Sequence, residues 1–230
     1  MTHWHHDHVG GVHDIHHQLQ TLNGIPVSKF KRPEEPDARL VDDDVENEND
    51  DKDDDKNDNK VDYTFIQDKA VFATEGATLE ALFTPGHTTD HVCLTLREES
   101  SLFAGDCILG EGSSVFEDLF DYMNSLDLIL KAVPSVVYPG HGPVISDPIP
   151  AIKAYINHRN ARETQILDAL RGEKKKLTVE EIVGVVYPGL AENLLRGAAN
   201  NVGHHLSKLE KEGKVVGREG RFESAERSGQ

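Results

Sequence analysis

A chain of 230 residues with 28% charged and 37% hydrophobic residues has material for one sizeable domain plus a small second one, and no apolar run approaches the roughly 20 residues needed to cross a bilayer. Two cysteines, Cys93 and Cys107, argue against a disulfide scaffold and fit a reducing compartment; both lie in apolar, strand-like text as buried thiols. The net charge of −17 is uneven: residues 1–150 hold 10 Lys+Arg against 30 Asp+Glu, while 151–230 hold 14 against 11, so the total does not exclude an anionic partner.

The chain opens on His3-x-His5-x-Asp7-His8, followed by Gly10-Gly11. Imidazole and carboxylate are ligands that Zn2+, Mn2+ and Fe accept. Ligands this close cannot all reach one ion from a regular element. A loop after a strand instead directs His3 and His5 to one ion and Asp7 and His8 to a second, and two ions about 3.5–4 Å apart share a bridging hydroxide. A His-rich tag or surface segment leaves the Asp and the Gly pair unexplained. With Met1 a single residue before Thr2-His3, no targeting segment and no launching strand precede the motif, so the chain reads as truncated or as an alternative start. As it stands it is expected to retain metal weakly.

Residues 12–22 read as a helix with Val12, Ile15, Leu19 and Leu22 on one face and with His16 and His17 solvated. Asn23-Gly24 ends it, and 25–30 is a short strand. Residues 33–62, almost all Asp, Glu, Asn and Lys from 42 to 58, cannot bury a core and read as a disordered acidic insertion without an EF-hand spacing. Strands are expected at 65–66, 70–72, 78–84, 92–96 and 101–104, and several hand over to polar residues: Pro85-Gly86-His87 with Asp90-His91, then Gly105-Asp106. Residues 117–133 form a helix with Leu119, Phe120, Met123, Leu126, Leu130 and Val133 buried. A strand at 136–138 delivers Pro139-Gly140-His141-Gly142-Pro143.

From Ile152 the text turns helical. A capping box, Thr178-x-x-Glu181, opens a helix at 182–186, Pro188-Gly189 breaks it, and 191–209 is another helix. Residues 214–222 form a hairpin turning at Glu219-Gly220. The order helix, helix, hairpin outlines a winged-helix-like module. The domains are therefore 1–150, carrying the metal motif, and 151–230.

The candidate ligands are His3, His5, Asp7, His8, His87, Asp106 and His141: seven donors from four loops, enough for two ions. Their order resembles the signature of the metallo-β-lactamase superfamily. Residues 105–112, 115–119, 121–126 and 138–143, with His158-Arg159-Asn160-x-Arg162-Glu163 and the winged-helix-like tail, narrow the resemblance to the glyoxalase-II-like branch, and within it to animal β-lactamase-like proteins described as mitochondrial, Zn2+-dependent endoribonucleases cutting single-stranded RNA. The resemblance implies an α/β (α+β) chain: a metallo-β-lactamase αββα sandwich lacking its N-terminal strands, with a C-terminal helical winged-helix-like domain.

It further implies two Zn2+ ions, one on His3, His5 and His87 and the other on Asp7, His8 and His141, bridged by Asp106. Asp7 is the catalytic candidate, orienting the nucleophile or taking its proton. His91 and Asp90 would orient a ligand imidazole, and His6 would not bind. Single-stranded RNA is the implied partner, with Arg159, Arg162, Lys174, Lys175 and Lys176 as basic candidates or as a solvated face. No membrane and no obligate protein partner are expected. The implied location is the mitochondrial matrix, with the cytoplasm as the alternative. A thioester hydrolase, glyoxalase-II-like or acting on acyl carriers, is the competing reading, and an inactive truncated isoform is the third.

Overall fold

The computed structural model describes residues 1–12, 14, 15, 26–33, 63–173 and 175–228. The expected helix at 12–22, with His16 and His17, and the acidic tract at 34–62 lie outside or almost wholly outside these residues. A single helical turn, α1 (His6–Val9), follows the metal motif's first imidazoles. Then come β1 (Val27–Lys29) and β2 (Tyr63–Phe65), paired in parallel.

The main sheet has five strands in the order β3 (Val71–Thr74), β4 (Ala77–Phe83), β5 (Val92–Leu96), β6 (Ser101–Gly105) and β7 (Val136–Pro139). It is antiparallel through β6, and β7 joins in parallel. That last crossover contains α2 (Leu119–Ala132), as parallel neighbours require a long connection. Strand β6 shows the period-2 logic: Leu102 and Ala104 are fully buried, whereas Phe103 points to the other face and stacks on Tyr138.

Helix α2 starts at Leu119 rather than Glu117, because the Asp118 carboxylate accepts from the Asp121 N–H at 3.0 Å and caps it. Its buried stripe is Leu119, Tyr122, Met123, Ser125, Leu126 and Ile129. Val133, expected inside, is 64% exposed and left-handed at the C-cap. Phe120 and Leu130 are only partly covered. These helix residues pack with Cys93, Leu102, Ala104, Cys107, Ile108 and Val137 into the first core. Each fully covered Leu or Ile there contributes about 1.5–3 kcal/mol.

Helix α3 (Pro148–Gly172) begins with Pro in its first turn, where a missing N–H costs nothing. It places Ile152 in the first core and Ile166 and Leu170 in a second. The second core is completed by α4 (Val179–Val186), α5 (Leu195–Lys211) and the hairpin β8 (Val215–Arg218)–β9 (Arg221–Ser224). The capping box forms as the sequence reads: Glu181 N–H donates to Thr178 Oγ1 and Thr178 N–H to Glu181 Oε2.

The expected helix at 191–209 starts as a 3-10 turn (Glu192–Leu194) before α5. Glu219 and Gly220 both take positive φ, 52° and 72°, the two-residue hairpin geometry that the Glu-Gly pair foretells. Backbone bonds between Leu177 and Phe222 add a third strand-like edge to this wing, and a last helical turn, α6 (Ala225–Ser228), closes the described chain.

Candidate metal centre

The first imidazoles are held from behind. Val92 N–H donates to the Thr2 carbonyl at 2.9 Å, tying the motif to the start of β5. His5 precedes α1 in an extended conformation, so its ring turns back toward His3, while α1 carries Asp7 and His8 to the other side. The segment is thus extended up to His5 and one helical turn after it, rather than loop throughout.

Three ring nitrogens converge. His3 Nε2 lies 3.1 Å from His5 Nδ1, and His87 Nε2 lies 3.3 Å and 3.0 Å from those two atoms. His87 Nδ1–H donates to the Val115 carbonyl at 2.8 Å, and His3 Nδ1 is 3.1 Å from Thr2 Oγ1. The carbonyl can only accept, so it leaves the His87 Nε2 lone pair facing the ring nitrogens of His3 and His5. Mutually facing lone pairs repel unless a cation sits between them, and tetrahedral ligation at 2.0–2.1 Å puts nitrogens about 3.4 Å apart. Burial first, then the neighbouring imidazoles, lowers the His3 pKa to about 2, and burial likewise lowers that of His87. Both rings are therefore neutral, the form that ligates.

The second cluster is Asp7, His8, Asp106 and His141. His8 Nε2 and His141 Nε2 are 3.2 Å apart, and His141 Nε2 is 3.0 Å from Asp7 Oδ2. Asp106 reaches both groups. Its Oδ1 is 3.2 Å from His8 Nε2, and its Oδ2 is 3.5 Å from His141 Nε2 and 3.9 Å from His87 Nε2. Asp106 Oδ1 is also buried without a hydrogen-bond donor, an orphan that a cation would satisfy. The donor sets, three imidazoles with one carboxylate and two imidazoles with two carboxylates, suit a borderline divalent metal. All seven predicted ligands meet here, and His6 lies outside both groups.

The backbone makes room at Gly140. A Cβ there would lie 2.4 Å from Asp106 Oδ1 and 2.9 Å from His8 Cε1. Gly140→Ala is expected to displace Asp106 and His8, costing the second ion while the first is kept. Metal analysis after dialysis checks this, and two ions per chain in that variant would contradict it.

The residues that hold the ligands differ from those expected. His91 does not orient a ligand imidazole. Its Nε2 accepts the Asp106 backbone N–H at 3.2 Å, so its Nδ1 carries the proton and donates to Thr84 Oγ1 at 2.9 Å, whose hydroxyl continues to Cys93. Burial brings the His91 pKa down to about 3, which keeps Nε2 an acceptor. Asp90 accepts from Thr88 within its own loop.

The sequence reading missed Ser114. Its hydroxyl is 2.6 Å from the Asp106 carbonyl and 2.9 Å from that of Val115, so one side chain ties the bridging carboxylate's backbone to the carbonyl that orients His87. Behind it stands Arg159, donating to Ser114 O at 3.0 Å and Ser113 Oγ at 2.6 Å, with its guanidinium 4.9 Å from the Phe116 ring. Arg159 is buried and is not an RNA-facing cation.

Of the other basic candidates, Arg162 stacks on Tyr187, Lys175 pairs with Glu181 and Lys176 with Glu223, while Lys174 lies outside the described residues. One signal could have exposed Arg159: it interrupts the buried stripe Ile152, Glu163, Ile166 and Leu170 of α3, where an unpaired charge is too costly to be incidental.

Residues 1–141 match the family model of the Metallo-beta-lactamase superfamily, and residues 178–222 match that of the Beta-lactamase associated winged helix domain. The chain is 48% identical over 94% of its length to a Beta-lactamase-like protein 2 homolog of Drosophila melanogaster, covering 68% of that protein. It is 40% identical to the Caenorhabditis elegans homolog, covering 65% of it. It is 36% identical over 86% of its length to an atrochrysone carboxyl ACP thioesterase of Aspergillus chevalieri, covering 57%. The chain therefore spans about two thirds, or less, of the relatives it matches. Among solved structures, a metallo-beta-lactamase family protein of Thermus thermophilus superposes with a TM-score of 0.57 at 27% identity, over 71% of this chain and 55% of that one.

Proposed function

Since the chain belongs to the metallo-β-lactamase superfamily of hydrolases, we propose that its centre holds two zinc ions and cleaves the phosphodiester backbone of single-stranded RNA. The observation that carries the reading is the joint presence of two donor groups sharing one carboxylate, the second of them open: the side chains of Asp7 and His141 are more than half exposed. Among the described residues that side of the centre faces solvent, so a chain-like substrate can lie across it. RNA is the polymer implied by the resemblance of residues 105–112 and 138–143.

His3, His5 and His87 would hold one ion and Asp7, His8 and His141 the other, with Asp106 shared. Ions so placed supply Lewis acidity and make water a competent nucleophile at neutral pH. The protein's own contribution is orientation: Val115 fixes the tautomer of His87, Thr2 holds the His3 ring, and His91 and Ser114 fix the backbone of Asp106. The Asp7 carboxylate, exposed beside His141, is placed to orient the attacking water or receive its proton. The mitochondrial matrix goes with the same proposal.

The second reading, thioester hydrolysis, is favoured by the 36% identity to an acyl-carrier thioesterase. Parallel incubation of the zinc-loaded protein with end-labelled single-stranded RNA and with an acyl thioester separates the two. RNA fragments that vanish in the Asp106→Ala variant are expected. Thioester turnover with intact RNA would overturn the assignment in favour of the second reading.

A further inference from the structure

The basic residues of the winged-helix module are largely consumed by ion pairs. Arg171 is paired with Asp168 and Glu226, Lys208 with Glu163 and Glu212, Lys211 with Asp118, Lys214 with Glu163 and Glu212, and Arg221 with Glu181. Arg196 is different, as is Arg218 on the wing, which is also exposed and without an ion pair among the described residues. Arg196 is exposed at the start of α5 and makes no ion pair among the described residues. With Asn193, Gly197 and Asn200 it lines an open groove of about 700 Å3.

Asn193 lies in the 3-10 turn that leads into α5, and the spacing 196–197, 200 and 204 keeps the other positions on one helical stripe, about 12 Å long. Asn200 Nδ2 lies 3.4 Å from His204 Nε2, and the His204 ring packs edge-on against Phe116 at 5.2 Å. Phe116 follows Val115, the residue whose carbonyl holds His87. The stripe therefore starts against the loop that supports the metal centre and runs away from it along α5.

Its chemistry is specific in kind. A guanidinium presents a fork of donors that fits phosphate oxygens, and carboxamides both donate and accept, as the edges of unpaired bases demand. The flanking carboxylate of Glu192 does not line the groove. We propose that the face formed by Asn193 of the 3-10 turn and Arg196 and Asn200 of α5 is a track that grips single-stranded RNA leading away from the metal centre, Arg196 on a phosphate and the two amides on bases. This rests on the RNA reading above. An acidic carrier protein would use Arg196 but leave the amides unengaged.

The test measures KM and kcat on a labelled single-stranded oligoribonucleotide, and the salt dependence of its binding, for the zinc-loaded wild type, Arg196→Glu, Arg196→Gln, Asn200→Ala, and Arg218→Glu as a charge-matched change on the wing. The expected result is a KM raised about tenfold in Arg196→Glu, smaller rises in Arg196→Gln and Asn200→Ala, kcat near wild type, and a salt slope reduced by about one phosphate contact. Unchanged KM in the Arg196 variants, while the wild type cleaves RNA, would overturn the track and leave the RNA reading standing. An equal rise in Arg218→Glu would also overturn it, since general charge would then explain the effect. A wild type that hydrolyses an acyl-carrier thioester and neither binds nor cuts RNA would remove both.

Discussion

Asp106→Ala is expected to abolish hydrolysis while leaving the fold in place. Among the described residues the carboxylate is the one group that belongs to both donor sets, 3.2 Å from His8 and 3.9 Å from His87 at its two oxygens. Changes to residues that merely orient a ligand already cost 10–100-fold in metal affinity or activity, so loss of a shared ligand should exceed about 100-fold in turnover. The fold is spared because the bonds that place residue 106 come from its backbone, N–H to His91 and carbonyl to Ser114. Metal content by elemental analysis should fall to one ion or none per chain, with an unchanged circular dichroism spectrum. Near-normal turnover in this variant would refute the two-metal arrangement.

Arg159→Ala is expected to damage the same centre from a residue that touches none of its ligands. Removing the guanidinium leaves the Ser114 carbonyl and the Ser113 hydroxyl without their donor and uncovers the face of Phe116. Charge-assisted bonds inside the protein make that worth about 2–4 kcal/mol of stability. The functional loss follows from the loop: Ser114 and Val115 would drift, and with them the backbone of Asp106 and the tautomer-fixing partner of His87. Zinc affinity, read by competition with a chromophoric chelator, should fall 10–100-fold. Arg159→Lys retains the charge but not the fork and should recover stability better than affinity. Wild-type zinc affinity in Arg159→Ala alongside a lowered melting temperature would reduce Arg159 to a packing role.

These two residues mark where the sequence was readable. Asp106 was legible because chemistry announces itself there: an apolar strand ends, and a carboxylate follows a glycine. The same held for His87, His141 and the opening motif, whose residue types have few other reasons to cluster. The strands of the main sheet were legible as short apolar runs that hand over to polar residues, and the hairpin from Glu219-Gly220. What failed needed three dimensions. His91 sits in a metal-type context, yet its acceptor nitrogen meets a backbone N–H fifteen residues away, a contact that no spacing encodes. Val133 continues the apolar rhythm of α2 but falls where the chain reverses in a left-handed cap, so its side chain leaves the core. Ser114 lies in a glycine- and serine-rich stretch with no period to read, and its importance comes from the two carbonyls that folding brings to it.

The long helix α3 carries a mechanical consequence. At 1.5 Å per residue its 25 residues extend about 37 Å, with Ile152 sealed in one core and Ile166 and Leu170 in the other. Arg159 and Glu163, between those anchors, are tied to the loop beneath the metal centre and to Lys208 of the winged helix. Neither core can open at this seam without fraying the helix that the other depends on. The two sequence domains should therefore melt as one cooperative unit, with a calorimetric enthalpy matching the van't Hoff value, and amide exchange along the middle of α3 should report the global opening free energy.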